Sequence, residues 1–142
     1  MIKQISVCVE NESGKLAEIT KLLAGKDINI RAMSVVENSD LGVLRLIVNK
    51  PEEAFNLLKS ENYTTNMNDV IGVEMSDAPG SLAQVLDTMR EICINIEYMY
   101  AFVADLKMGA LVVFKVKNSE HIEHLLKEKG INVVWPEDIY SM

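Results

Sequence analysis

Extremes are missing from this 142-residue chain, and each missing one removes a class of function. It has two cysteines, three prolines, one tryptophan and only 6% aromatic residues. It has no basic surplus. A net charge of −7 and a pI near 4.8 argue against a phosphate-backbone partner or an anionic membrane surface. No apolar run is long enough to span a bilayer, and the opening Met1-Ile2-Lys3-Gln4-Ile5 carries no signal-type apolar segment. Cys8 and Cys93 read as reduced, inert thiols of a cytosolic protein, since two cysteines without a paired framework do not suggest a bridge. No G-x-S-x-G, H-E-x-x-H or P-loop is present. No nucleophile, base and orienting group stand at readable spacing, so the chain is expected not to be an enzyme. His121 and His124, beside Glu120 and Glu123, are three apart on a helical stretch, but no third ligand accompanies them. They read as a solvated polar face, and no metal or cofactor is implied.

What is present is ordinary for a globular protein, 49% hydrophobic and 25% charged, but it is arranged as a duplication. Gly14-Lys15-Leu16-Ala17 and Ile28-Asn29-Ile30 return as Gly80-Ser81-Leu82-Ala83 and Ile94-Asn95-Ile96, both offset by 66 residues. A matched period of this size denotes two copies of one folded unit. The expected domains are residues 1–68 and 69–142. Cys8 and Cys93 fall at non-equivalent places in the copies.

In the first copy Ile5, Val7 and Val9 alternate as in a half-buried strand. Leu16, Ile19, Leu22 and Leu23 follow at helical spacing. Ile28 to Glu37 and Val43 to Val48 form a hairpin about the turn residues 38–42. Pro51, Glu52 and Glu53 open a second helix, and a short strand near Tyr63 to Met67 closes the unit. The second copy repeats the order: a strand over Val70 to Met75, a helix lined by Leu82, Val85, Leu86 and Met89, and a hairpin over Ile94–Val103 and Gly109–Val116. A helix capped by Ser119 and a last strand over Ile131 to Trp135 complete it. The fold class is therefore α+β, two ferredoxin-like βαββαβ units with antiparallel sheets and helices on one face. Tyr98, Tyr100 and Phe102 alternate with Met99, Ala101 and Val103, so this strand is apolar on both sides and expects a cover from a sister unit or second chain. The eight methionines read mostly as core packing.

The candidate site is the loop Asp77-Ala78-Pro79-Gly80-Ser81-Leu82, between a strand and a helix. Pro79 restricts the backbone, and Gly80 lets it turn and presents no Cβ to a ligand. The amides of Gly80, Ser81 and Leu82 belong to the first helical turn and suit a carboxylate. Asp77 suits an ammonium, and Asn95 adds an amide. Donors and an anion a few ångströms apart match an amino-acid zwitterion. Alone, Pro-Gly before a helix is only a turn; its repetition in phase with Asn29 and Asn95 favours a site.

Asp77-x-Pro79-Gly80-x-Leu82 followed by Ile94-Asn95-Ile96, within βαββαβ, resembles the ACT domain, the amino-acid-sensing module of metabolic enzymes. Gly14-x-Leu16 and Ile28-Asn29-Ile30 extend the resemblance to the first copy, so the whole chain is similar to the stand-alone tandem ACT proteins. The resemblance implies a free amino acid held between ACT units, by the first βα loop of one and the start of the second strand of its neighbour. That implies Asp77 to Leu82 with Ile94 to Ile96, and as counterparts Asn11, Ser13, Gly14, Lys15 and Leu16 with Ile28, Asn29 and Ile30. Asn11 replaces Asp77 and Ser13 replaces Pro79 in the first copy, so unequal sites are expected.

Two functions follow. One is a non-catalytic cytosolic regulator, a homodimer, binding a free amino acid, with apolar or aromatic side chains favoured because Tyr98 or Met99 would face the ligand. The other is a regulatory subunit that docks on an enzyme of amino-acid metabolism, ligand binding being secondary. An RNA-binding sheet is disfavoured by the acidic charge and the lack of ribonucleoprotein motifs.

Overall fold

A computed structural model describes residues 1–10, 12–38, 40–103 and 109–142, with Asn38 and Val103 described by backbone alone. In chain order the elements are β1 (Ile2–Glu10), α1 (Lys15–Ala24), β2 (Ile30–Asn38), β3 (Leu41–Val48), α2 (Pro51–Ser60), β4 (Thr65–Met75), α3 (Ser81–Glu91), β5 (Ile96–Val103), β6 (Ala110–Val116), α4 (Ser119–Glu128) and α5 (Pro136–Tyr140). They make two compact units. One holds Lys3–Asn68 and Ile139–Met142, the other Met1–Ile2 and Asp69–Asp138. The division between Asn68 and Asp69 falls inside β4. The two strands expected over 63–67 and 70–75 are thus one strand, Thr65–Met75, which runs through Asn68 and Asp69 without a turn.

In the unit built on Lys3–Asn68, β3 lies between β2 and β1, antiparallel to both, with Val7 opposite Leu44 and Val35 opposite Leu44. The Cys8 amide donates to the Thr64 carbonyl at 3.0 Å, which brings the start of the closing strand beside β1. Alternation puts Ile5, Val7 and Val9 on one face, where they pack with Leu44, Leu46 and Val48 against Ile19 and Leu23 of α1 and Ala54 and Leu58 of α2. Burying each such side chain contributes about 1.5–3 kcal/mol. The opposite face is more polar. Gln4 is fully buried, its amide donates to Ser6 Oγ, and Ser6 Oγ donates to Asn68 Oδ1 at 3.2 Å.

The unit built on Asp69–Asp138 repeats the plan. β6 lies between β4 and β5, antiparallel to both, with Ile71 opposite Phe114 and Met99 opposite Phe114. Ile71, Val73, Val112, Phe114 and Val116 pack against Val85 and Met89 of α3 and Leu126 of α4.

Several expectations change in detail. The last strand is reduced to one bridge, Val73 with Val133, flanked by the bonds Glu74 N–H to Asn132 O and Val134 N–H to Gly72 O. Pro136 then starts α5, whose five residues were too short a pattern to read. Ser119 is the first helical residue rather than the cap; Asn118, at φ 54°, holds the cap position without a side-chain cap bond. Both thiols are free and exposed. Among the described methionines only Met89 belongs to the fully buried set. No helix among the described residues is long and apolar enough to cross a membrane.

Candidate functional site

The two glycine loops have one geometry. Gly14 and Gly80 have φ of 89° and 90° and precede α1 and α3. That left-handed conformation costs an L-residue roughly 1–2 kcal/mol, which is why glycine recurs. In the first loop Glu12 N–H donates to Glu10 O, Lys15 N–H to Glu12 O and Glu18 N–H to Gly14 O. In the second, Ala78 N–H donates to Ser76 O, Ser81 N–H to Ala78 O and Gln84 N–H to Gly80 O. The bonds correspond one for one, so Ser13 supports the same loop conformation as Pro79.

A Cβ built on either glycine meets no atom within 4 Å. The glycine therefore serves the backbone turn, and the space before it is open. Asp77, Ala78, Pro79, Gly80 and Leu82 are exposed, as are Ser13, Gly14 and Leu16; Lys15 and Ser81 are half-buried. The three expected donors are reduced, because the Ser81 amide is engaged with Ala78 O at 3.2 Å and its hydroxyl lies 2.7 Å from Ser76 Oγ. The amides of Leu82 and Ala83 meet no acceptor among the described residues, and they are the donors left facing outward at the positive end of α3. Leu16 and Leu82 are 38% and 36% exposed at the same place in the two helices. Expected on the buried stripes, both instead stand exposed beside the open turns. Asn11 lies outside the described residues.

The strand starts divide differently. Ile28 is buried, and Ile30, Ile94 and Ile96 pack on the cores. Their side chains serve the fold, while Asn29 and Asn95 are exposed. The Asn29 amide donates to Asn49 Oδ1 at 2.8 Å. Asn95 lines an open cavity of about 560 Å³ with Ile94, Lys117 and Asn118. No residue of the 77–82 loop lines it. Topology explains the separation. β4 and β5 are both antiparallel to β6 and hence parallel to each other. The loop after β4 and the start of β5 therefore sit at opposite ends of α3, whose 11 residues span about 16 Å. Within one unit the two halves of the expected site cannot meet, so a site built from both requires a second unit.

On α4 two side-chain pairs form. His124 Nε2 is 3.1 Å from Glu128 and Lys127 Nζ is 3.0 Å from Glu123. Among the described residues no three His, Cys, Asp or Glu side chains are grouped to hold a metal. The hydroxyl of Tyr63 donates to Glu18, and burial together with that bond pushes its pKa up to about 12. Among the described residues Trp135 is the most open large apolar side chain, 63% exposed with Lys127 Nζ 4.5 Å from its ring. A cluster of four others, Met33, Val35, Val36 and Leu41, 43% to 55% exposed, lies on β2 and the start of β3. Tyr98, Met99, Tyr100 and Phe102 of β5, expected to need a cover, are half-buried. β2 carries the same open pattern one repeat earlier, and its smaller side chains disguised it.

Known proteins agree with this architecture. A family model for an ACT domain pair matches residues 1–142. The structure of protein BT0572 from Bacteroides thetaiotaomicron is 38% identical, with a TM-score of 0.92 over 99% of this chain and 96% of that one. The ligand-free regulatory subunit of aspartate kinase from Thermus thermophilus is 14% identical, with a TM-score of 0.64 over 89% of this chain and 91% of that one. A structure of aspartokinase alpha and beta subunits is 17% identical, with a TM-score of 0.58 over 89% and 90% of the two chains. At those identities the last two share the fold. No curated protein sequence matches the chain. With the family matched from end to end and the βαββαβ unit present twice, this chain belongs to the ACT domain pair family.

Proposed function

We propose that this chain is a non-catalytic regulatory protein that binds a free amino acid. The observation that carries the reading is the loop before α3. An open left-handed glycine, unpaired Leu82 and Ala83 amides, the exposed Leu82 side chain and the exposed Asp77 carboxylate stand together. Carboxylate on the amides and ammonium on Asp77 is the pairing these groups favour. The start of β5 in a neighbouring unit, around Asn95, completes the site, since it lies too far away within its own unit. The Gly14 loop has the same turn but Ser13 for Pro79, and we assign it the weaker role.

A thermal-shift screen of the standard amino acids tests the reading. A ligand at a hundred times its Kd stabilises the folded state by about 2.7 kcal/mol, which appears as a rise in Tm of several degrees. Asp77→Ala removes the rise. No shift with any amino acid, confirmed by calorimetry, rejects the sensor function.

A second reading is favoured by Met33, Val35, Val36 and Leu41: a regulatory subunit that docks on an enzyme of amino-acid metabolism, as the fold shared with an aspartate kinase regulatory subunit suggests. We place the protein in the cytosol, where its two exposed free thiols stay reduced, and as a homodimer. Recovery of the chain alone from native-cell pull-downs counts against the docking role.

A further inference from the structure

The corner where each crossover helix meets its next strand is built differently in the two units. Strand pairing fixes the equivalence: Ile30 lies opposite Val48, and Ile96 opposite Val116. Asn49 therefore corresponds to Lys117, Lys50 to Asn118 and Asn29 to Asn95. Asp27 and Cys93 correspond as well, both ending a helix at positive φ, 55° and 57°.

In the first unit this corner satisfies itself. Asn49 Oδ1 accepts from the Asn29 amide at 2.8 Å, and the Asn49 amide donates to Asn29 O at 3.0 Å. Lys50 Nζ lies 3.8 Å from Asp27 Oδ2. The register slips at Arg31, and its guanidinium donates to the Tyr140 carbonyl at 3.1 Å. In the second unit every one of these partners is gone. Lys117 has no side-chain acceptor to offer the Asn95 amide, and Cys93 and Asn118 cannot form the ion pair. The same register slip carries Glu97 in place of the arginine. What remains is the open cavity of about 560 Å³, with Lys117, Glu97, Asn95 and Asn118 on its wall and Ile94 and Ile122 as apolar surface. Among the described residues neither Lys117 nor Glu97 has an ion-pair partner.

Resting on the amino-acid reading above, we propose that this corner, present in the second unit only, adds a second pair of charged groups to the binding site. Lys117 adds a cation to the Leu82 and Ala83 amides around the ligand's carboxylate, seconded by the Asn95 amide, and Glu97 joins Asp77 around its ammonium. The first unit's corner, filled by its own Asn49, Lys50 and Asp27, takes no ligand.

The test is calorimetry of the intact chain with each standard amino acid and its carboxamide, in which the carboxylate charge is removed. The wild type prefers the acid. Lys117→Asn, which installs the first unit's residue, weakens acid binding by about tenfold or more, the scale of a charge-assisted contact. It also lowers the preference over the carboxamide, a readout that mere loss of structure would not move. Lys117→Arg keeps the preference, and Lys50→Ala leaves affinity unchanged. If Lys117→Asn binds with affinity and preference intact, the inference fails and the sensor reading stands. If no amino acid binds the wild type, both fail.

Discussion

At the residue scale, backbone conformation decides more than side-chain identity. The left-handed φ of Gly14 and Gly80 with open space around each means that alanine meets no steric neighbour. Its cost is the backbone alone, and Gly14→Ala and Gly80→Ala should each destabilise by about 1–2 kcal/mol in urea unfolding, by similar amounts. A much larger loss at Gly80 would mean that its surroundings are not open. Tyr63 offers a second test at this scale. Its pKa is raised from 10.0 to about 12 by burial and by the bond to Glu18. A raised folded-state pKa stabilises below the unfolded value and is lost as pH climbs through the folded one. The contribution is therefore complete below pH 10 and disappears toward pH 12. Ultraviolet difference titration against Tyr63→Phe should show Tyr63 ionising late, and Glu18→Gln should bring it back toward the ordinary range. A Tyr63 that ionises near 10.0 contradicts the contact.

Among elements, strands and long helices were legible because period-2 and period-3.6 patterns report burial directly, as in Ile5-Val7-Val9 and Ile19-Leu23. The turn glycines were legible because only their backbone role forces the residue. What escaped notice lacked a periodic signal. α5 is five residues long, yet Ile139 is fully buried and Tyr140 is bonded twice, its hydroxyl accepting from the Lys3 amide at 2.8 Å and its carbonyl accepting from Arg31. These partners are far apart in sequence, so no local pattern announces them. Ile139→Ala should cost about 2–5 kcal/mol. Hydrogen exchange should quicken in the unit containing Lys3–Asn68, to which Ile139 belongs. Protection that falls only around residues 131–138 would contradict that placement. The division of the proposed site was legible as residues and illegible as geometry. Its two loops are recognisable in the sequence, but their separation along α3 follows from strand direction, and the Lys117 corner from a pairing register.

For the whole molecule, the duplication gives two equal scaffolds with unequal chemistry. The exposed Met33, Val35, Val36 and Leu41 need cover. Val35 and Val36 point to opposite faces of β2 yet both stay open, so a partner that pairs along this strand buries both. Val35→Lys places a charge where such a partner would sit. Sedimentation should find the parent chain as a dimer and the variant shifted toward monomer, whereas an unshifted variant would place the contact elsewhere. The central claim is amino-acid binding by a paired fold with one competent site, and calorimetric titration of the intact chain tests it most directly. The account predicts saturable binding of an amino acid at one site per chain, weakened by about tenfold or more in Asp77→Ala, the scale of a lost charge-assisted contact. Two equal sites per chain, or affinity indifferent to Asp77, would contradict it.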